Sequence, residues 1–175
     1  DLAAAGLITP EEAALSSEVP MAQDVTVEAD SGGHTDNRPL ISLLPAIIAL
    51  RDRVQAQRRF ARPARGGAAG GIATPASAAA AYMMGAAYVM TGSVNQACVE
   101  SGSSDRVRKM LAEAGQADVV MAPAADMFEL GVKVQVLKRG TMFAMRGAKL
   151  YELYRSYDSV EALPVCVRAP LEKDL

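Results

Sequence analysis

The order of hydrophobic and polar residues in the first half of the chain predicts strands that alternate with helices. The β-branched run 24–28 predicts a strand, and the apolar run 87–90 predicts another. Between them, residues 42–57 predict a helix, and residues 74–84 predict a second helix that Gly85 ends. Because strand, loop and helix recur in this order, the pattern indicates a parallel α/β protein.

Residues 62–69 occupy the place where this alternation requires a further strand, but their composition disfavours one. Pro63, Gly66 and Gly67 are all residues that weaken strands, and alanines fill most of the remaining positions. We therefore expect the strand before Gly70 to be weakened, or the local sequence to have diverged.

The pattern changes in the last third of the chain. Residues 105–114 predict an amphipathic helix and residues 144–157 predict another, whereas residues 132–137 fit either a strand or a helix. We therefore divide the chain into an α/β domain over residues 1–104 and a mostly helical extension, packed on it, over residues 105–175.

Two glycine-rich turns are candidates for binding a phosphate. Gly70 and Gly71 follow the weak strand, and Gly92 and Ser93 follow the strand after it, with one helix between the turns. Glycines let backbone N–H groups approach a phosphate, and a helix N-terminus adds a favourable dipole. A tight turn explains the first pair equally well. Two successive turns, however, match the phosphate site after strands seven and eight of many TIM barrels.

His34 is the only histidine in the chain and the candidate catalytic residue. It follows Gly32 and Gly33 in a loop directly after the first predicted strand, at the edge where the phosphate turns should also lie. Imidazole exchanges protons near neutral pH, which suits acid–base chemistry. Glu28 and Asp30 flank the loop, and either can orient the imidazole or form a strand-end salt bridge.

Composition and charge exclude several other classes of function. The net charge is −2 and the arginines form no dense patch, which argues against nucleic acid as a partner. Cys98 and Cys166 match no metal-ligand spacing, so we predict no metal site. No apolar run reaches the roughly 18–20 residues of a membrane span. Because no secretory signal opens the chain either, we expect a cytoplasmic enzyme. Asp1 stands where Met is usual, so we also expect that the chain could be trimmed or cut from a larger enzyme.

Three blocks of sequence resemble the nitronate monooxygenase (2-nitropropane dioxygenase) superfamily of FMN barrels. They carry a Gly-Gly-His loop, an Ala-Gly-Gly-Ile phosphate turn and a Gly-Ser turn in the order typical of that superfamily, over residues 27–34, 69–72 and 85–93. The resemblance implies that the α/β domain is the C-terminal portion of a TIM (β/α)8 barrel with parallel strands.

Four longer blocks resemble one branch of that superfamily more specifically. They are similar to the trans-acting enoyl reductase subunit of polyunsaturated fatty acid synthases and trans-acyltransferase polyketide synthases, over residues 28–39, 92–98, 121–128 and 137–143. Residues 121–143 are peculiar to this branch, and we expect them to form a family-specific helical segment outside the barrel. Lys138 and Arg139 in this segment can meet an acidic carrier protein or serve as ordinary solvated charges.

This resemblance implies an FMN enzyme in which NADPH reduces the flavin. The flavin then reduces the α,β-double bond of an enoyl thioester on an acyl carrier protein, within a polyketide or fatty acid synthase complex. By position, Gly70, Gly71, Gly92 and Ser93 would hold the FMN phosphate, and Gly33 would lie close to the flavin. His34 would donate a proton or orient the thioester carbonyl. A homodimer remains open.

Three alternatives remain beside this interpretation. A complete barrel needs eight β/α units and about 250 residues, whereas we find only about three units, which predicts the second half of a larger enzyme. The chain could then be a non-catalytic fragment that docks in a synthase. Nitronate oxidation could use the same FMN site, with His34 as base. A barrel of the inosine-monophosphate dehydrogenase kind needs a cysteine between the two phosphate turns, and residues 74–91 contain none.

Overall fold

The computed structural model describes residues 2–174, and the chain divides after Gly102 into two compact units. The first unit alternates helices and strands in the predicted order. Its elements are α1 (Pro10–Leu15), β1 (Asp24–Glu28), β2 (Gly33–His34), α2 (Leu40–Arg58), β3 (Arg65–Ala69), α3 (Pro75–Met83), β4 (Tyr88–Met90) and α4 (Ser93–Gln96).

Three strands of the first unit form a parallel sheet in the order β1-β3-β4. The register places Val27 beside Ala68 and Ala68 beside Val89. These three side chains meet Leu44 of α2 and Ala81 of α3 in the core of the unit. The predicted α/β class with parallel strands is therefore confirmed, and the parallel sheet of the described residues has three strands.

The composition of residues 62–69 predicted a weakened strand, but β3 forms the centre of the sheet. A β-carbon on Gly66 would lie 3.3 Å from the guanidinium of Arg51 and 3.5 Å from Ile48, both on α2. A β-carbon on Gly67 would lie 2.1 Å from the ring of Tyr88. Small residues are thus required here because a helix and an aromatic ring approach the strand, and packing overrides strand propensity.

The helices of the first unit begin and end close to their predicted bounds. Thr74 caps α3 by accepting a hydrogen bond from the amide of Ser77, and Pro75 takes the first helical position. Gly85 follows the end of α3 with a φ of +99°. Helix α2 begins two residues before the predicted start, so Pro45 lies inside the helix rather than in its first turn.

The second unit contains both helices and strands. Its elements are α5 (Asp105–Ala112), a short 3-10 helix (Gln116–Asp118), β5 (Val119–Pro123), β6 (Lys133–Leu137), α6 (Phe143–Ser156) and α7 (Val165–Asp174). Helix α6 packs against β5. None of the helices formed by residues 2–174 is both long and apolar enough to cross a membrane.

The expectation of a helical segment over residues 121–143 is wrong, because β5 and β6 pair there as antiparallel strands. Val119 lies opposite Leu137, and Pro123 lies opposite Lys133. Alternating valines in residues 132–137 favour a strand with two distinct faces. Gly131 precedes this run with a φ of +70°, so the backbone there leaves the helical region.

Candidate functional site

The three strands of the parallel sheet end in turns that contact one another. Ala29 and Asp30 follow β1, Gly70 and Gly71 follow β3, and the turn at Gly92 follows β4. Because the strands are parallel and in register, their carboxyl ends lie along one edge of the sheet. The structure thus brings the predicted phosphate turns and the segment leading to His34 to the same edge.

Gly70 makes the closest of these contacts. Its φ of +88° lies in the left-handed region that favours glycine. A β-carbon at this position would lie 2.6 Å from the carbonyl oxygen of Ala29 and 2.9 Å from that of Asp30. Gly71 is also left-handed, with a φ of +69°. Only glycine therefore fits position 70, for reasons of both backbone conformation and space.

Backbone donors remain open at both glycine turns. Within residues 2–174, no partner accepts a hydrogen bond from the amide N–H of Gly71, Ile72, Ser93 or Val94. The amides of Ala73 and Thr74, by contrast, donate to the hydroxyl of Ser77. Helix α3 thus satisfies its own start and leaves the preceding glycine turn free to bind an anion. Open N–H groups beside residues without β-carbons fit a phosphate group.

The turn after β4 is held by one asparagine side chain. The Nδ2 of Asn95 donates to the carbonyl oxygen of Thr91 at 2.8 Å, and the hydroxyl of Thr91 donates to Oδ1 of Asn95 at 3.1 Å. This pair of bonds closes the loop around Gly92 and Ser93. Asn95 was not predicted as a site residue, although an amide four residues after a threonine can make such a closure.

His34 lies at the exposed end of the loop that follows β1. Gly33 before it has a φ of +90°, and a β-carbon there would meet no atom within 4 Å. Gly33 is therefore required by the backbone conformation rather than by space. The imidazole is exposed, and His34 belongs to a two-residue strand, β2. The structure places His34 on the predicted edge.

The carboxylates flanking this loop bind polar groups of the loop itself. The hydroxyl of Ser31 donates to Oε1 of Glu28 at 3.0 Å. The Nδ2 of Asn37 donates to Oδ1 of Asp30 at 3.0 Å, and the amide N–H of Asp30 donates to the carbonyl oxygen of Arg38 at 2.8 Å. These bonds define the shape of the loop that carries His34.

Gly32 connects this loop to the turn after β4. A β-carbon on Gly32 would lie 3.1 Å from the hydroxyl oxygen of Ser93. Gly32 and Ala29 both contact predicted phosphate residues, yet neither was predicted to belong to the site. Their contacts join residues about 40 to 60 positions apart in sequence, so only the pairing of the strands brings them together.

Polar side chains occupy the face of the sheet opposite its helix-packed core. The hydroxyl oxygens of Thr26 and Tyr88 are 2.8 Å apart. The guanidinium of Arg65 binds the carboxylate of Asp24 through two bonds of 2.6 and 2.7 Å. The hydrogen bond from Arg65 lowers the pKa of Asp24, and the charge of Arg65 acts in the same direction.

Among the residues that the structure describes, no three His, Cys, Asp or Glu side chains form a group that could hold a metal ion. The donors at the candidate site are backbone N–H groups, which bind anions rather than cations. The site is therefore suited to a phosphate-bearing molecule.

Comparison with known proteins gives relatives over nearly the whole chain, although no family model matches it. The chain is 57% identical over 167 residues to a polyunsaturated fatty acid synthase polypeptide of Thraustochytrium sp., covering 93% of this chain and 11% of that protein. It is 49% identical over 166 residues to the polyketide biosynthesis protein PksE of Bacillus subtilis, covering 95% of this chain and 22% of that protein.

Solved structures that resemble this chain include an enoyl reductase domain from a polyketide cluster. The enoyl reductase domain of MlnA, from the macrolactin biosynthesis cluster of Bacillus amyloliquefaciens, matches with a TM-score of 0.88 and 42% identity over 99% of this chain and 39% of that one. FabK from Thermotoga maritima matches with a TM-score of 0.56 and 26% identity, over 78% of this chain and 38% of that one.

The chain thus spans between a tenth and a quarter of the length of these two sequence relatives. Within that span the identity is 57% and 49%, respectively. The resemblance recognised in the sequence is confirmed: the chain is similar in sequence to polyunsaturated fatty acid synthase and polyketide biosynthesis proteins, and similar in structure to an enoyl reductase domain from a polyketide cluster.

Proposed function

We propose that the chain is part of an FMN-dependent enoyl reductase that uses NADPH. Its substrate is the α,β-unsaturated acyl group of a thioester carried on an acyl carrier protein, within a polyketide or polyunsaturated fatty acid synthase complex. The observation that carries this proposal is the contact among the turns after β1, β3 and β4. These contacts bring the candidate phosphate grip, the turns at Gly70–Gly71 and Gly92–Ser93, to the same edge of the sheet as the loop of His34.

The amides of Gly71, Ile72, Ser93 and Val94 would bind the FMN phosphate. Their N–H groups are open, and the residues before two of them, Gly70 and Gly92, carry no side chain to exclude phosphate oxygens. When bound, FMN would supply the hydride chemistry that links NADPH to the alkene. The protein's own contribution at this edge is therefore binding and orientation.

His34 would act on the substrate as an acid. Reduction of an enoyl thioester adds a hydride at the β-carbon and a proton at the α-carbon, so a proton donor is needed beside the alkene. The imidazole is exposed at the end of a loop braced by the Glu28–Ser31 and Asp30–Asn37 hydrogen bonds. It can deliver a proton to the α-carbon, or it can hold the thioester carbonyl by a hydrogen bond.

Lys138 is the better candidate for steering an acidic carrier protein in the second unit. The guanidinium of Arg139 lies 3.7 Å from the carboxylate of Asp118 and donates to the carbonyl oxygen of Glu113. Lys138 is exposed and its ammonium makes no ion pair within residues 2–174. An exposed charge without an ion-pair partner raises the rate of encounter with an oppositely charged protein.

Flavin content and substrate turnover test this proposal. The purified chain is mixed with FMN, and NADPH oxidation is followed with an enoyl thioester on a carrier protein and, separately, with a nitronate. Uptake of FMN and turnover of the enoyl substrate support the proposal. Turnover of the nitronate alone would replace it with nitronate oxidation, and a chain that takes up no FMN would indicate a docking role without catalysis.

A further inference from the structure

Gly32 and Gly33 are adjacent glycines that the structure requires for different reasons. Gly33 has a φ of +90° and open space where a β-carbon would lie. Gly32 has no such backbone requirement, since its φ lies outside the left-handed region. What restricts Gly32 is space, because its missing β-carbon would lie 3.1 Å from the hydroxyl oxygen of Ser93. That separation is shorter than an ordinary van der Waals contact.

The partner of Gly32 belongs to the candidate phosphate grip. Ser93 begins α4, and its amide N–H is one of the open donors at the turn after β4. Asn95 holds this turn through two hydrogen bonds to Thr91. A methyl group at position 32 would press on the Ser93 hydroxyl and would therefore displace the loop of His34 and the turn that carries Ser93 relative to each other.

We infer that Gly32 is a positioning residue, which sets the place of His34 relative to the phosphate grip through its contact with Ser93. The inference rests on the proposed function and adds a residue to it. Gly32 lies two positions before His34 in the same loop. The Gly32–Ser93 contact therefore joins this loop to the phosphate turn close to His34.

The contact predicts a specific pattern of rescue between two substitutions. Gly32→Ala introduces a methyl group against the Ser93 hydroxyl, whereas Ser93→Ala removes that hydroxyl and keeps the backbone N–H. Residues in direct contact usually show non-additive effects. The double variant should thus regain what Gly32→Ala loses, because alanine at position 93 leaves room for the added methyl group.

The test measures FMN binding and the NMR signals of the imidazole in the purified chain. His34 is the only histidine, so its ring signals need no assignment by mutation. Gly32→Ala should weaken FMN binding by roughly threefold to thirtyfold and should change the His34 signals in the FMN complex. The Gly32→Ala/Ser93→Ala variant should bind FMN within about twofold of Ser93→Ala alone.

Gly102→Ala serves as the matched control. Gly102 has no neighbour within 4 Å of its missing β-carbon and no left-handed φ, so this variant should bind FMN as the wild type does. Equal FMN binding and His34 signals in Gly32→Ala and wild type would overturn the inference and leave the proposed function standing. So would a double variant as weak as Gly32→Ala. A wild-type chain that binds no FMN would defeat the proposed function and this inference with it.

Discussion

Gly70 lies against the backbone of Ala29 so closely that a β-carbon at position 70 would be 2.6 Å from the Ala29 carbonyl oxygen. Gly70 follows β3 and begins the first phosphate turn, and Ala29 begins the segment that leads to His34. The two turns thus form one packed unit, and a change in either displaces the other. The candidate site depends on backbone contacts more than on side-chain chemistry.

Gly70→Ala is expected to destabilise the first unit and to abolish FMN binding. The substitution places a β-carbon in a left-handed conformation and against a carbonyl group, and such strain costs on the order of 1–3 kcal/mol or more. Urea unfolding followed by circular dichroism, together with FMN titration, measures both effects. Gly102→Ala carries neither form of strain and should match the wild type. An unchanged unfolding midpoint in Gly70→Ala would contradict the contact.

Gly67→Ala should destabilise the sheet because of Tyr88. A β-carbon at position 67 would lie 2.1 to 2.6 Å from three atoms of the tyrosine ring. Overpacking of this kind costs roughly 1–3 kcal/mol. Tyr88→Ala removes the ring, so Gly67→Ala should cost much less in that background. The free energy of unfolding of the two single variants and the double variant checks this, and fully additive losses would disprove the coupling.

Asp24 should contribute to stability in a way that depends on pH. The hydrogen bond from Arg65 holds the pKa of Asp24 below its usual range. Because the folded pKa is the lower one, the contribution is present above the unfolded pKa of about 3.9 and is lost as pH falls through the folded value. The stability difference between wild type and Asp24→Asn should therefore shrink below about pH 4.

Thermal midpoints of wild type and Asp24→Asn between about pH 6 and pH 2 measure this difference. Both partners are exposed to solvent, so the effect should be small and should decrease with added salt. Glu18→Gln is a suitable control, since Glu18 is exposed and forms no ion pair within the described residues. A difference that stays constant over the whole range would rule out the Arg65 interaction as its source.

His34→Gln should reduce enoyl turnover while leaving FMN binding intact. Loss of a general acid typically lowers kcat by about 10²–10⁴-fold. The side chain of His34 is exposed and does not belong to either candidate phosphate turn, so FMN affinity should change little. Steady-state kinetics with an enoyl thioester and FMN titration separate the two quantities. Unchanged kcat would remove His34 from the chemistry, and lost FMN affinity would instead assign it to cofactor binding.

Local pattern was sufficient to predict most elements of the first unit. The β-branched run at β1 and the Thr-Pro start of α3 each specify a conformation through propensity and capping, which depend on neighbours in sequence. The candidate phosphate turns and the Gly-Gly-His loop were also visible, since each is a short contiguous motif. The parallel pairing of the strands, seen only in the structure, places these turns and the loop at one edge of the sheet.

One strand and one pair of strands escaped this reasoning because distant residues determine them. Propensity alone disfavours glycines in a strand. Gly66 and Gly67 nevertheless lie in β3, because α2 and Tyr88 approach this strand so closely that larger residues would not fit. The hairpin of β5 and β6 replaced an expected helical segment because backbone pairing between residues 119–123 and 133–137 is not encoded locally.

The sequence by itself thus determined the α/β class, the resemblance to a family of enoyl reductases and the residues at the candidate phosphate turns. Only the tertiary structure decided that Gly70 is held against Ala29, and Gly32 against Ser93. The physical reason is that conformational preferences act over a few residues, whereas close packing acts between any atoms that the fold brings together. Gly70 was predicted for its flexibility, and the structure shows that it is also required for space.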